Sequence, residues 1–168
     1  MTIELIIGLG NPSREYQNTY HNFGYLAADF FNKNLKTRDP EKRRGSLGDS
    51  PLYKLKTDVP MNQSGLFVKK ALQKYQVKSE NMLIIHDDSD IELGKYKLSF
   101  GRGSAGHKGA QSIIGQLKTK NFWRLRLGIR PKRNKMKAGD LVLKKITPAH
   151  RKIIASVLKS FEKRPGLH

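Results

Sequence analysis

The sequence contains no cysteine, so disulfides, thiolate-bound zinc and thiol nucleophiles are excluded. Acidic residues are scarce as well. Fourteen Asp and Glu stand against 33 Lys and Arg, a formal net charge of +19. An excess of that size calls for a polyanionic partner, and nucleic acid is the usual one. The basic residues are spread along the chain rather than gathered on one amphipathic helix, which argues against an anionic membrane. Nowhere do about 18 apolar residues run together, and MTIELIIGLGNP has neither a positive leader nor a signal-length apolar core. A cytosolic protein is expected. The Gly-x-Ser-x-Gly elbow of serine hydrolases is missing, and Ser64 and Ser104 lack a nucleophile context. Gly8-x-Gly10 lacks the third glycine of a dinucleotide fingerprint, and Pro12 interrupts the turn, so no nucleotide cofactor is expected.

What is present alternates between strand and helix patterns. Glu4–Leu9 reads as a buried strand, and Phe23–Leu35 carries a helical stripe at Leu26, Ala27, Phe30 and Phe31. Leu52–Lys56 is a short strand, and Ser64–Tyr75 a helix with Leu66, Val68, Ala71 and Leu72 facing inward. Met82–His86 is a compact buried strand, Lys95–Phe100 a half-exposed one, and Gly109–Leu117 helical. Trp123–Ile129 alternates from Leu125, which turns Arg124 and Arg126 to the opposite face. Thr147 is placed to cap a last helix with Pro148 in its first turn, running to about Phe161. Residues 36–51 and 131–138 read as mobile basic loops within one domain. The fold class is α/β: a single domain, residues 1–168, with a central mixed β-sheet flanked by helices.

Polar clusters sit where these segments end. His21 is the best general base, because an unperturbed imidazole titrates near neutral pH. It needs a carboxylate to orient it, and Asp87, at the end of a buried strand, is well placed; Asp88 and Asp90 suit turn or cap roles. With no serine or thiol to attack, water activated by His21 is the expected nucleophile. The turn at Gly10 aims the Asn11 amide, which both donates and accepts hydrogen bonds. Asn62 either caps the following helix or holds a substrate carbonyl or water. His21, His86, His107 and Asp87 match no compact ligand spacing, so no metal is expected. Gly101–Gly109 carries Arg102 and Lys108 and suits a flexible loop that contacts phosphate. Lys95, Lys97, Arg124 and Arg126 add charge for a surface that follows a nucleic-acid backbone.

Read together, these motifs resemble one family. GLGNPSREYQNTYHNFG is similar to the segment GLGNPGxxYxxTRHNxG of bacterial-type peptidyl-tRNA hydrolases. PMNQSG resembles its FMNxSG, IIHDDSD its HDELD, GSAGHKG its GGHNG and WRLRLGI its RLRIGI, in order from Thr2 to about Leu143. The resemblance implies a cytoplasmic monomer without cofactor that hydrolyses the ester between a peptide and the 3′-terminal ribose of tRNA. It implies that His21 is the catalytic base, Asp87 its partner, and Asn11 and Asn62 ligands of the peptidyl carbonyl end and the water. Tyr16, Asn22 and Met61 would line the peptide and terminal-adenosine site. Lys97, Arg102, Arg124 and Arg126 would meet the acceptor arm. Lys108 stands at the usual asparagine of GGHNG, Tyr20 at the arginine before the histidine, Pro60 at the phenylalanine before Met61 and Ser99 at a second basic position. Lys108 is expected to contact substrate phosphate directly. A non-catalytic RNA-binding relative of the same fold is the alternative.

Overall fold

The computed structural model describes residues 2–34 and 52–164; the loop expected over 36–51 lies outside them. Four apolar segments form parallel strands at the centre: β1 (Leu5–Gly8), β2 (Tyr53–Lys56), β3 (Met82–Glu92) and β5 (Trp123–Arg130). β4 (Tyr96–Phe100) pairs antiparallel to β5, completing a five-stranded mixed sheet in the order β2-β1-β3-β5-β4. β1 is buried along its whole length, as expected of a strand covered on both faces.

Helices cover both sides. On one face α1 (Phe23–Asn34) and α5 (Pro148–Glu162) press Phe23, Ala27, Phe31, Leu158 and Phe161 onto Ile6, Leu83, Ile85, Leu125 and Leu127. On the other, α2 (Ser64–Tyr75) and α3 (Lys108–Leu117) pack Val68, Ala71 and Ile113 onto Leu5, Ile7, Met82 and Ile84. A short α4 (Ala138–Val142) lies near the C-terminal ends of β3 and β5. The sequence pattern did not announce it, because five residues are too few to show a helical period. Thr147 caps α5 as expected, its hydroxyl accepting the His150 N–H at 3.2 Å.

Three expectations need correction. Leu66 does not face inward but is 49% exposed. The contact it was expected to make is made by Gly65, where a Cβ would lie 2.2 Å from the Ser112 carbonyl oxygen of α3. β3 does not stop at His86: it pairs with β5 through Asp88 and, after a register shift, at Glu92. Arg124 is turned from the apolar face of β5 as the alternation required, yet it is buried at 1% exposure.

Candidate active site

The segment after β1 and the second half of β3, from Asp87 on, border a cleft of about 750 Å³ whose walls include Asn11, Tyr16, His21, Met61, Asn62, Asp87, His107 and Lys108. That is where a parallel sheet offers its ligands, since the strand ends open there. Two glycines make the approach of α1 possible. A Cβ on Gly8 would lie 2.1 Å from the Gly24 carbonyl oxygen, and one on Gly24 would lie 2.3 Å from that of Leu9. With both bare, α1 starts directly against β1, and the turn just before it sets His21 over Asp87 of β3.

That turn is fastened from two sides. Asn22 is buried; its amide oxygen accepts the Asn11 N–H at 2.7 Å and its NH2 donates to the Asn11 carbonyl at 3.0 Å. Asn22 therefore holds the Asn11 loop, and it is not among the residues that line the cleft. From the C-terminal side, Tyr20 N–H donates to Lys144 O and Ile146 N–H to Asn18 O. Arg151 donates to the Asn18 side chain at 2.7 Å, Asn18 itself sitting at a φ of 60°. The Tyr20 hydroxyl donates to His150 Nδ1, burial pushing that phenol up and keeping its proton on. Tyr20 thus faces α5, not the cleft.

At the floor, His21 Nδ1 lies 3.1 Å from both carboxylate oxygens of Asp87. Asp87 is 1% exposed. Burial alone would push its carboxyl up, but the charges and hydrogen bonds of His21 and His107 hold it far below the carboxylate range. For His21, burial pushes down, the Asp87 charge and hydrogen bond push up, and Lys108 pushes down; the imidazole ends above its ordinary value. His21 thus has an anion at its back and its other ring nitrogen for chemistry.

His107 is the residue whose part the sequence did not disclose. Its Nε2 reaches Asp87 Oδ1 at 3.2 Å, and its Nδ1 accepts the Ala110 N–H at 3.2 Å as the N-cap of α3. His86 packs its ring 4.2 Å from that of His107 and donates Nδ1–H to the Asp87 carbonyl at 2.6 Å. Burial, then the neighbouring His107, hold His86 well below the usual imidazole range, so it is neutral. His21, Asp87 and His107 bring three ligand atoms within 4.8 Å of one another, close enough for a metal. For His107 to ligate through Nε2, its proton would have to move to Nδ1 and break the helix cap, so the set is built for hydrogen bonding.

The remaining candidates fall into place one by one. Asn62 does not cap α2: the N-cap position is Gln63, which makes no side-chain cap bond, and Asn62 lies exposed on the cleft wall. Asn11 Oδ1 accepts the Ser13 N–H at 3.2 Å, which leaves its NH2 as a donor. Met61 is wedged beneath, its carbonyl accepting the Ser64 hydroxyl at 2.7 Å. Asp88 does the turn work expected of it, accepting the Asp90 N–H, and binds Arg126 Nε at 2.6 Å. Arg126 therefore shares its charge with Asp88. Arg124 is not a surface cation: its guanidinium donates to the carbonyls of Arg102, Gly103 and Ser104. It secures the glycine-rich loop from beneath, because a buried arginine needs acceptors and the turning loop supplies them. Lys97, Arg102 and Lys108 are exposed.

Comparison with known proteins gives a consistent result. A family model described as "Peptidyl-tRNA hydrolase" matches residues 5–164. A peptidyl-tRNA hydrolase of Aquifex aeolicus is 35% identical, covering 95% of this chain and 86% of that protein. One of Neisseria meningitidis serogroup A is 35% identical over 99% of this chain and 91% of its own length. The crystal structure of peptidyl-tRNA hydrolase from Acinetobacter baumannii superposes with a TM-score of 0.73 at 31% identity, covering 94% of this chain and 83% of that one.

Proposed function

The chain belongs to the peptidyl-tRNA hydrolase family and is an ester hydrolase acting on peptidyl-tRNA, and on that premise we propose how its residues divide the work. The His21–Asp87 pair at the floor of the cleft carries the reading. Asp87 accepts the Nδ1–H of His21, which leaves Nε2 with its lone pair. A water hydrogen-bonded there gives up a proton to Nε2 as its oxygen attacks the ester carbonyl carbon. The negative charge gathers on the carbonyl oxygen, where the Asn11 NH2 and the Asn62 amide donate to it. The ester C–O bond then breaks, and the imidazolium returns its proton to the departing ribose oxygen. Asp87, itself too acidic to take that proton, stabilises the imidazolium while it lasts.

Tyr16 and Met61 line the path of the peptide and terminal adenosine. Lys97, Arg102, Lys108 and, with its charge shared by Asp88, Arg126 meet tRNA phosphates. Arg124 drops out of that set for the reason given above. A net charge of +19 supports the assignment, because phosphate contacts supply most of the affinity for a nucleic acid. A cytosolic monomer goes with the reading: its substrate is a product of translation. The intact base and carboxylate weigh against the non-catalytic alternative, since a pure binder has no use for the pair.

The test is release of N-blocked aminoacyl groups from charged tRNA, wild type beside His21→Ala. The variant should lose about two to four orders of magnitude in kcat and keep tRNA binding within about twofold. Turnover surviving in His21→Ala would remove the histidine from the mechanism.

A further inference from the structure

We infer that His107 is a positioning residue of the hydrolytic reaction, locked in one tautomer by the helix it caps so that its Nε2–H orients Asp87 and tempers the carboxylate's hold on His21. The lock follows from hydrogen-bond direction. The Ala110 N–H can only donate, so His107 Nδ1 must carry a lone pair. The ring proton then sits on Nε2, which is the atom 3.2 Å from Asp87 Oδ1. His86, neutral, packs its ring 4.2 Å from that of His107.

The consequence reaches the base through the carboxylate. Oδ1 is shared between His21 and His107, whereas Oδ2, among the described residues, serves His21 alone. A donor on Oδ1 spreads the anion's charge and fixes its rotation about the Cβ–Cγ bond. His21 is thereby less basic than a bare carboxylate would make it, and more of it is in the lone-pair form at a given pH. The groups bearing on this balance are Asp87 and His86 on β3, His21 before α1, Lys108 on α3 and, through His86, Arg124 on β5. Since Ala105 and Gly106, at φ of 52° and 78°, lead straight into His107, the same ring ties the glycine-rich loop to the catalytic floor.

The inference rests on His21 as the base, and its test separates the two. His107→Asn keeps an N-cap oxygen but is too short to reach Asp87. Its kcat–pH profile should have an acidic limb moved upward by roughly half to one pH unit, with KM within about twofold. His107→Gln, able to donate to Asp87 but a poor cap, should return the limb toward wild type while lowering Tm. A limb unmoved in His107→Asn overturns the inference and leaves the His21 reading standing; that reading fails only if His21→Ala still turns over. On the wild type, 15N shifts of the His107 ring should show a protonated Nε2 and a bare Nδ1 near neutral pH. A proton on Nδ1 overturns the inference whatever the variants do.

Discussion

At the floor of the cleft Asp87 is 1% exposed and shares its charge with two imidazoles, whereas Lys108 on its wall and Lys97 and Arg102 outside it, together taken as the rim, stand in water. A buried charge interacts strongly with its neighbours and must be paired; an exposed one is screened and can wait for a partner. The floor is thus able to set a proton's place, and the rim to gather a polyanion without being ordered beforehand. Chemistry and affinity should therefore separate when either region is altered.

The sharpest way to test that separation is Asp87→Asn. The amide keeps the shape of the carboxylate but cannot stabilise the imidazolium, so kcat should fall by about two to four orders of magnitude. Binding of tRNA, read by filter retention or fluorescence anisotropy, should barely change; a tenfold loss would merge floor and rim. The substitution should also alter the response to pH. Asp87 is held below its ordinary 3.8, so its contribution to stability is present above that value and is lost as pH falls below it. His21 is raised above its ordinary 6.5, so its contribution is present below that value and is lost as pH rises through the shifted one. Melting profiles of Asp87→Asn should flatten on both sides.

Arg124→Met probes the boundary between the regions. Loss of the bonds to three loop carbonyls should destabilise the protein by about 1–3 kcal/mol and lower Tm by about 2–10 °C. With the loop loosened, KM should rise more than kcat falls. The opposite pattern would make this loop part of the floor. Lys108→Asn should act least and mainly at the rim. KM should rise modestly, and the slope of log affinity against log salt should shrink by about 0.7–0.9. The acidic limb should also creep upward, because Lys108 now pulls His21 down. An unchanged KM would end the case for Lys108 as a phosphate contact.

Those boundaries were unevenly legible in the sequence. Strands and helices announced themselves through period, and Thr147-Pro148 through its capping chemistry, because both are local properties. His21 and Asp87 were readable as partners because strand ends in such folds converge. Arg124 was misplaced because alternation says which face a side chain leaves, not what covers it. Its cover is three carbonyls 20 to 22 residues away. Asn22 and His107 escaped for a related reason. Asn22 satisfies a backbone 11 residues before it, and His107 joins a local helix cap to a carboxylate 20 residues back. Neither pairing leaves a periodic trace.

The seam between residues 18–20 and 144–151 bears on the order in which the protein is made. The turn that presents His21 leaves the ribosome before the segment that fastens it, since Lys144, Ile146, His150 and Arg151 are synthesised some 125 residues later. A nascent chain can lay down its sheet as it emerges, yet the seam cannot close before the last helix is out. An enzyme that acts on the ester linking peptide to tRNA is itself joined by such an ester until synthesis ends. A clasp closed from so far along the chain delays the hydrolase's full competence until α5 has been made.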